Sequence, residues 1–148
     1  MDITKRCIEN LDQQGIYQWD EVYPAKSDFQ GDIEDESLYV ITAVDEILGC
    51  ICLNQEEHPG YENANWLGSR FLVIHKMIVD PQREGQGYGE FAMKQAEKIA
   101  RSKDKDSIKL DCYQENLRAN RFYQKLGYAL RGEVLFRKGM FNLYEKMV

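Results

Sequence analysis

The sequence predicts a mixed α/β (α+β) domain, and three observations carry that expectation. Short apolar, β-branched runs recur along the chain, separated by segments whose apolar residues repeat at helical spacing. One such run, Phe71 to Val79, passes through a glycine-rich turn straight into a helical segment. The length of 148 residues, with 43% hydrophobic and 30% charged side chains, suits one domain with a sizeable core. No repeat, low-complexity tract or linker interrupts residues 1–148, so a single domain is expected.

Cys7 to Gln14 predicts the end of a first helix, stopped near Gly15. After a loop with Tyr17, Trp19, Tyr23 and Pro24, a short helix is expected around Asp28 to Asp35. Leu38–Val44 and Ile47–Leu53 predict two strands joined by a hairpin turn at Asp45-Glu46. Gln55 to Gly68 is a polar and aromatic loop, followed by the strand Phe71–Val79. From Glu90 to Arg101, Phe91/Ala92, Gln95/Ala96 and Ile99/Ala100 recur at helical spacing, one stripe to lay on a sheet. Ser107–Tyr113 predicts a strand. Asn116 to Leu126 predicts a helix closed by Gly127 in a left-handed cap. Tyr128–Phe136 and Met140–Met147 finish as strands, joined through Arg137-Lys138-Gly139.

The formal net charge of −6 and the missing basic patch argue against a nucleic-acid partner. No apolar run approaches membrane-spanning length, and the polar start, Met1 to Arg6, lacks the apolar core of a signal peptide. Cys50 and Cys52 lie two apart on a strand, which is neither a redox nor a zinc spacing, and the only histidines are His58 and His75. No metal site is expected. Free thiols fit a reducing, cytoplasmic setting.

The turn Val79-Asp80-Pro81-Gln82-Arg83-Glu84-Gly85-Gln86-Gly87-Tyr88-Gly89 is built to take a phosphate. A glycine-rich entry to a helix presents backbone N–H groups at the positive end of the helix dipole, and missing Cβ atoms permit close approach. A P-loop would need Lys-Ser or Lys-Thr after the glycines, which is absent. A dinucleotide fingerprint would need glycine where Glu90 stands. What remains is G-x-G-x-G closing into a helix.

Downstream, Asn116 is placed to cap a helix and Tyr123 lies two turns along it. The order and separation of the two segments, with the pattern N-x-x-A-x-x-x-Y-x-x-L-G-Y from Asn116 to Tyr128, resemble the GNAT-type N-acetyltransferases. The resemblance covers Phe71 to Tyr128 well. It implies the acyl-CoA N-acyltransferase fold, a mixed, mostly antiparallel sheet flanked by helices, and acetyl-CoA as co-substrate. By position, main-chain groups of Met77, Ile78 and Val79 would run beside the pantetheine arm at a bulge. Amides of Gly85, Gln86, Gly87, Tyr88, Gly89 and Glu90 would hold the pyrophosphate. Asn116 would bond to the cofactor, and Tyr123 would face its sulfur and protonate the departing thiolate. Asp111 stands where some members carry a catalytic carboxylate. The family's Gln/Arg position is Glu84 here, so backbone amides are expected to bind while Glu84 points to solvent. The family also usually starts with a strand before its first helix, and this chain starts near that helix.

Acetyl transfer to an amine needs a positioned neutral nitrogen, a polarised carbonyl and a proton source for the thiolate. No Ser-His-Asp or Cys-His pattern is evident, which fits direct transfer. Tyr123, with a phenol pKa near 10, suits the acid. Asp111, His75 or a water chain could serve as base. Strand alternation puts His75, Met77 and Val79 on one face. The acceptor, a small-molecule or peptide amine, would meet the aromatic loops (Tyr17, Trp19, Tyr23, Tyr61, Trp66) and the carboxylates Glu56, Glu57 and Glu62. A homodimer is left open. The alternatives are a non-catalytic acyl-CoA-binding or sensor module on the same fold, and, more distantly, a nucleotide-binding protein of another fold.

Overall fold

A computed structural model describes residues 1–148. Its elements are α1 (Asp2–Gln13), α2 (Lys26–Glu34), β1 (Leu38–Ala43), β2 (Glu46–Asn54), β3 (Phe71–Val79), α3 (Tyr88–Ser102), β4 (Ser107–Tyr113), α4 (Leu117–Lys125), β5 (Ala129–Phe136) and β6 (Gly139–Met147). Single 3-10 turns lie at Tyr61–Asn63 and Pro81–Arg83. The six strands run in the order β1-β2-β3-β4-β6-β5. β1/β2, β4/β6 and β5/β6 are antiparallel, and β3 pairs parallel with β4 from Phe71 to Ile74. The sheet is therefore mixed and mostly antiparallel, with helices, as expected. The chain forms two compact units, Met1–Leu53 with His75–Lys94, and Asn54–Ile74 with Gln95–Val148.

In the first unit, Ile41, Leu48 and Ala92 form a core with Ala43, Met77, Val79 and Tyr88 packed on it. The β1–β2 turn falls on Val44-Asp45, one residue before the expected Asp45-Glu46. Both residues have positive φ (47° and 64°), the twist that a two-residue hairpin demands, and Glu46 already opens β2. A Cβ on Gly49 of β2 would lie 2.1 Å from the Ile78 carbonyl oxygen, so only glycine allows this approach of the two backbones.

In the second unit, Tyr61, Val73, Val134 and Leu143 form the core, with Ala64, Trp66, Phe71, Phe136 and Phe141 around them. Glu145, 1% exposed, is a buried carboxylate with its bonds made: it accepts from the Leu67 and Gly68 amides and from Arg131 Nε. That ties the loop before β3 to β6.

Candidate active site

The segment from β3 to α3 lies in the first unit. Lys76 has φ of 48°, which interrupts the pleat just before Met77. The two-residue alternation that would put His75 on one face with Met77 and Val79 therefore does not carry across this point. His75 is buried, at 8% exposure, while Met77 and Val79 pack on the core. At the end of β3, Asp80 accepts from the Gln82 amide (3.1 Å) and from Arg6 Nε (3.3 Å). The Arg6 hydrogen bond holds the Asp80 carboxyl below its ordinary pKa, against the opposing effect of burial. Cys7 Sγ also donates to the Val79 carbonyl (3.3 Å), so α1 anchors the start of the turn twice.

Beyond the Pro81–Arg83 turn, Gly85 and Gly87 adopt φ of 75° and 87°, and nothing lies within 4 Å of where a Cβ on either would stand. Glu84 is exposed. The helix begins at Tyr88, two residues earlier than expected, because its first i→i−4 bond runs from the Phe91 amide to the Gly87 carbonyl. Tyr88, Gly89 and Glu90 are thus its opening turn, and their amides precede that bond at the positive end of a 15-residue helix. The backbone is shaped for an anion such as a pyrophosphate: amides at a helix start behind glycines whose open side is empty of protein.

The second unit holds Asp111, Asn116 and Tyr123. Asn116 caps α4, its side-chain oxygen accepting from the Ala119 amide at 3.1 Å. Gly127 ends the same helix region at φ of 91°, the left-handed closure expected of it. Sequence inspection missed what fixes this helix, Asn120. Its Nδ2 donates to the carbonyls of Tyr113 and Asn116 (2.9 Å each), and its Oδ1 accepts from Asn142 Nδ2 and the Tyr144 hydroxyl (2.8 Å each). One buried amide thereby ties α4 to the end of β4 and to β6.

Tyr123 is 9% exposed, among the rings of Phe122, Tyr128 and Tyr144. Burial, reinforced by Cys112 and the Asp111 charge, pushes its phenol far above the ordinary value. The expected pKa near 10 is corrected accordingly: Tyr123 is a protonated hydrogen-bond donor throughout the working range. Asp111 accepts from the Tyr61 hydroxyl at 2.7 Å. Burial raises its pKa; the Tyr61 bond and the nearby His58 oppose that rise without cancelling it.

Several loop residues singled out for the acceptor have structural duties. Tyr61 is 1% exposed in the core and Trp66 Nε1 donates to its carbonyl. Glu57 pairs with Lys109 at 3.0 Å, and Glu62 accepts from the Gly60 amide. Glu56, Tyr17 and partly Trp19 and Tyr23 remain exposed.

Against known families, the model for the acetyltransferase (GNAT) family matches residues 5–128. The chain belongs to the GNAT acetyltransferase family. Among curated proteins it is similar to the uncharacterized N-acetyltransferase YesJ of Bacillus subtilis (strain 168), 24% identical over 97% of this chain and 80% of that protein. Among solved structures, a GNAT-family acetyltransferase from Streptococcus agalactiae 2603 superposes with a TM-score of 0.79 at 20% identity, over 99% of this chain and 86% of that one. One from Elizabethkingia anophelis, solved with acetyl-CoA bound, superposes at 0.65 with 16% identity, over 85% of each chain. These likenesses establish the GNAT fold. No helix of the chain is long and apolar enough to cross a membrane.

Proposed function

We propose that this chain is an N-acetyltransferase that moves the acetyl group of acetyl-CoA directly onto a primary amine of a small molecule or peptide. The observation that carries this reading is the helix start behind Gly85 and Gly87, where positive φ and empty space coincide with the opening amides of α3. The family model spans residues from both units, which supports one acetyltransferase domain.

The co-substrate supplies an activated thioester. Amides from Gly85 to Glu90 would hold its pyrophosphate, and the main chain of Met77, Ile78 and Val79, following the Lys76 irregularity, would accept the pantetheine arm's hydrogen bonds and donate to it. Asn116, whose Oδ1 caps α4, would bond to the co-substrate.

We assign Asp111 as the base in preference to His75. A carboxylate whose surroundings raise its pKa takes a proton from an ammonium more readily than an ordinary one. As the C–N bond forms and the C–S bond breaks, the amine's proton passes to Asp111. The Tyr123 hydroxyl, which stays protonated, would donate a hydrogen bond to the leaving sulfur and stabilise the charge that develops on it.

Calorimetric titration with acetyl-CoA and thiol release with a broad amine panel test this. Binding followed by thiol release is expected. Binding with release to no amine would favour the non-catalytic acyl-CoA module. Tyr123→Phe should lower kcat by roughly 100-fold with little change in acetyl-CoA affinity. Asp111→Asn should abolish transfer where His75→Gln does not.

A further inference from the structure

The glycine turn between β3 and α3 is held in place mainly at its two ends. Around Gly85 and Gly87 no protein atom lies within 4 Å of a Cβ position, so the open side has no packing to fix it. At the α3 end, Tyr88 and Ala92 pack with Ile41 and Leu48. At the β3 end the fastening is Asp80, 5% exposed. Its amide donates to the Leu48 carbonyl at 2.7 Å, and its carbonyl accepts from the Arg83 amide at 2.8 Å. Its carboxylate accepts from the Gln82 amide (3.1 Å) and from Arg6 of α1 through both Nε (3.3 Å) and Nη2. Every polar atom of Asp80 is engaged.

Two arginines tie this turn to its surroundings, and they are unequal. Arg83 meets Glu46 at the start of β2 at 2.7 Å, but the two side chains are 40% and 57% exposed. Water screens such a pair, and it contributes little. Arg6 instead meets a carboxylate that is 7% exposed, in the two-point fork where charge-assisted hydrogen bonds are strongest. Cys7, the next residue of α1, adds its bond to the Val79 carbonyl. Lys94 of α3 pairs with Glu90 at 2.9 Å. Arg6, Arg83 and Lys94 are thus each turned to a carboxylate, and the turn offers an anion its backbone amides. Amide donors have fixed directions, so their aim depends on where the backbone is held.

We infer that Arg6 is a positioning residue for donor binding: through Asp80, α1 aims the amides from Gly85 to Glu90 at the donor's pyrophosphate. The inference rests on the acetyltransferase reading above and adds the first helix to the donor side of that reaction. Arg6 itself need not touch the donor. It acts through Asp80, whose oxygens hold the Gln82 amide and the guanidinium together. Without Arg6, Asp80 would be a buried carboxylate lacking its counter-charge, and the β3 end of the turn would lose its tie to α1.

Calorimetric titration of the full chain with acetyl-CoA and with coenzyme A, beside thermal melts, tests this in three variants. Arg6→Gln should weaken both ligands by the same factor, about 10-fold, because both carry the pyrophosphate. Arg6→Lys keeps the charge and loses the fork, so its affinities should fall between those of the unchanged protein and Arg6→Gln. The double variant Arg6→Gln with Asp80→Asn removes the buried charge and keeps an oxygen for the Gln82 amide. Its melting temperature should recover toward that of the unchanged protein, while donor affinity stays as low as in Arg6→Gln. Affinity that returns together with stability, a loss confined to acetyl-CoA, or full affinity in Arg6→Gln overturns the inference and leaves the acetyltransferase reading standing. Failure of the unchanged protein to bind acetyl-CoA overturns both.

Discussion

Lys76 and Asp32 form an ion pair shielded on both sides: Nζ lies 2.9 Å from Oδ2, with side-chain exposures of 8% and 12%. The directed hydrogen bond goes to Oδ1 at 3.2 Å, and the ammonium also lies 5.5 Å from the Tyr23 ring centre. The pair binds α2 to the one residue of β3 with positive φ. An unfavourable backbone conformation persists where the surroundings over-determine it, and here they are the counter-charge.

Asp32→Asn should therefore destabilise the protein by about 3 kcal/mol, because it leaves a buried ammonium without its partner. The double variant Asp32→Asn with Lys76→Met should lose less than the single one. Urea unfolding of the three proteins checks this. If the pair also sets the β3 irregularity, the double variant will bind acetyl-CoA more weakly even where its stability recovers.

Gly87→Ala separates conformation from crowding. The new Cβ meets no protein atom, so the folded state pays only for the left-handed backbone, about 1 kcal/mol. Acetyl-CoA affinity should fall at least 10-fold, because the added methyl stands where a phosphate must approach. Titration calorimetry beside a thermal melt reads both quantities. Gly49→Ala should behave differently: its Cβ collides with the Ile78 carbonyl, so stability and affinity should fall together.

The proposed base is a burden on the fold. The Asp111 pKa is raised in the folded protein, so above that value the folded state carries a charge it disfavours. The resulting penalty is complete only above the raised pKa and fades as pH falls from there toward the ordinary carboxylate range. Asp111→Asn keeps an oxygen for Tyr61 and should raise the melting temperature at pH 7 by about 3 °C, for a gain near 1 kcal/mol, while removing activity. The gain should shrink toward pH 4. Asp80 has the opposite sign. Its lowered pKa stabilises the fold above the ordinary carboxylate range and that contribution disappears in acid, so Arg6→Gln should narrow the stability difference between pH 7 and pH 3.

Asn120→Asp tests the amide that fixes α4. The change is isosteric, yet it puts an acceptor against the carbonyls of Tyr113 and Asn116, both now bonded to Nδ2. A loss of about 2–3 kcal/mol is expected in chemical denaturation, with kcat falling as Tyr123 loses its fixed position.

Much of this was legible in the chain itself. The glycine turn, the Asn116 cap and the Gly127 closure rest on local backbone needs, which a sequence displays directly. β4 fell where expected, Ser107–Tyr113, because its apolar run has clear ends. What escaped notice depends on partners far along the chain. Asn120 looked like one polar residue on a helix, and only its bonds to Asn142 and Tyr144 give it a role. Tyr61 read as one of several loop aromatics around an acceptor, but it is buried in the core and bonds to Asp111, fifty residues on. The strain at Lys76 has no local signature, since lysine is an ordinary strand residue.

The two glycines at positive φ hold the loop's shape in the backbone rather than in side-chain packing, and that gives the molecule a convenient attachment point. Gln86, exposed between them, can carry a reporter without disturbing a packed neighbour. A cysteine installed there would have little competition. Burial raises the thiols of Cys7 and Cys112 to about 12 and that of Cys50 to about 11, and it raises Cys52 as well. At neutral pH the native thiols are scarcely ionised, and a thiol-reactive dye should label the loop selectively.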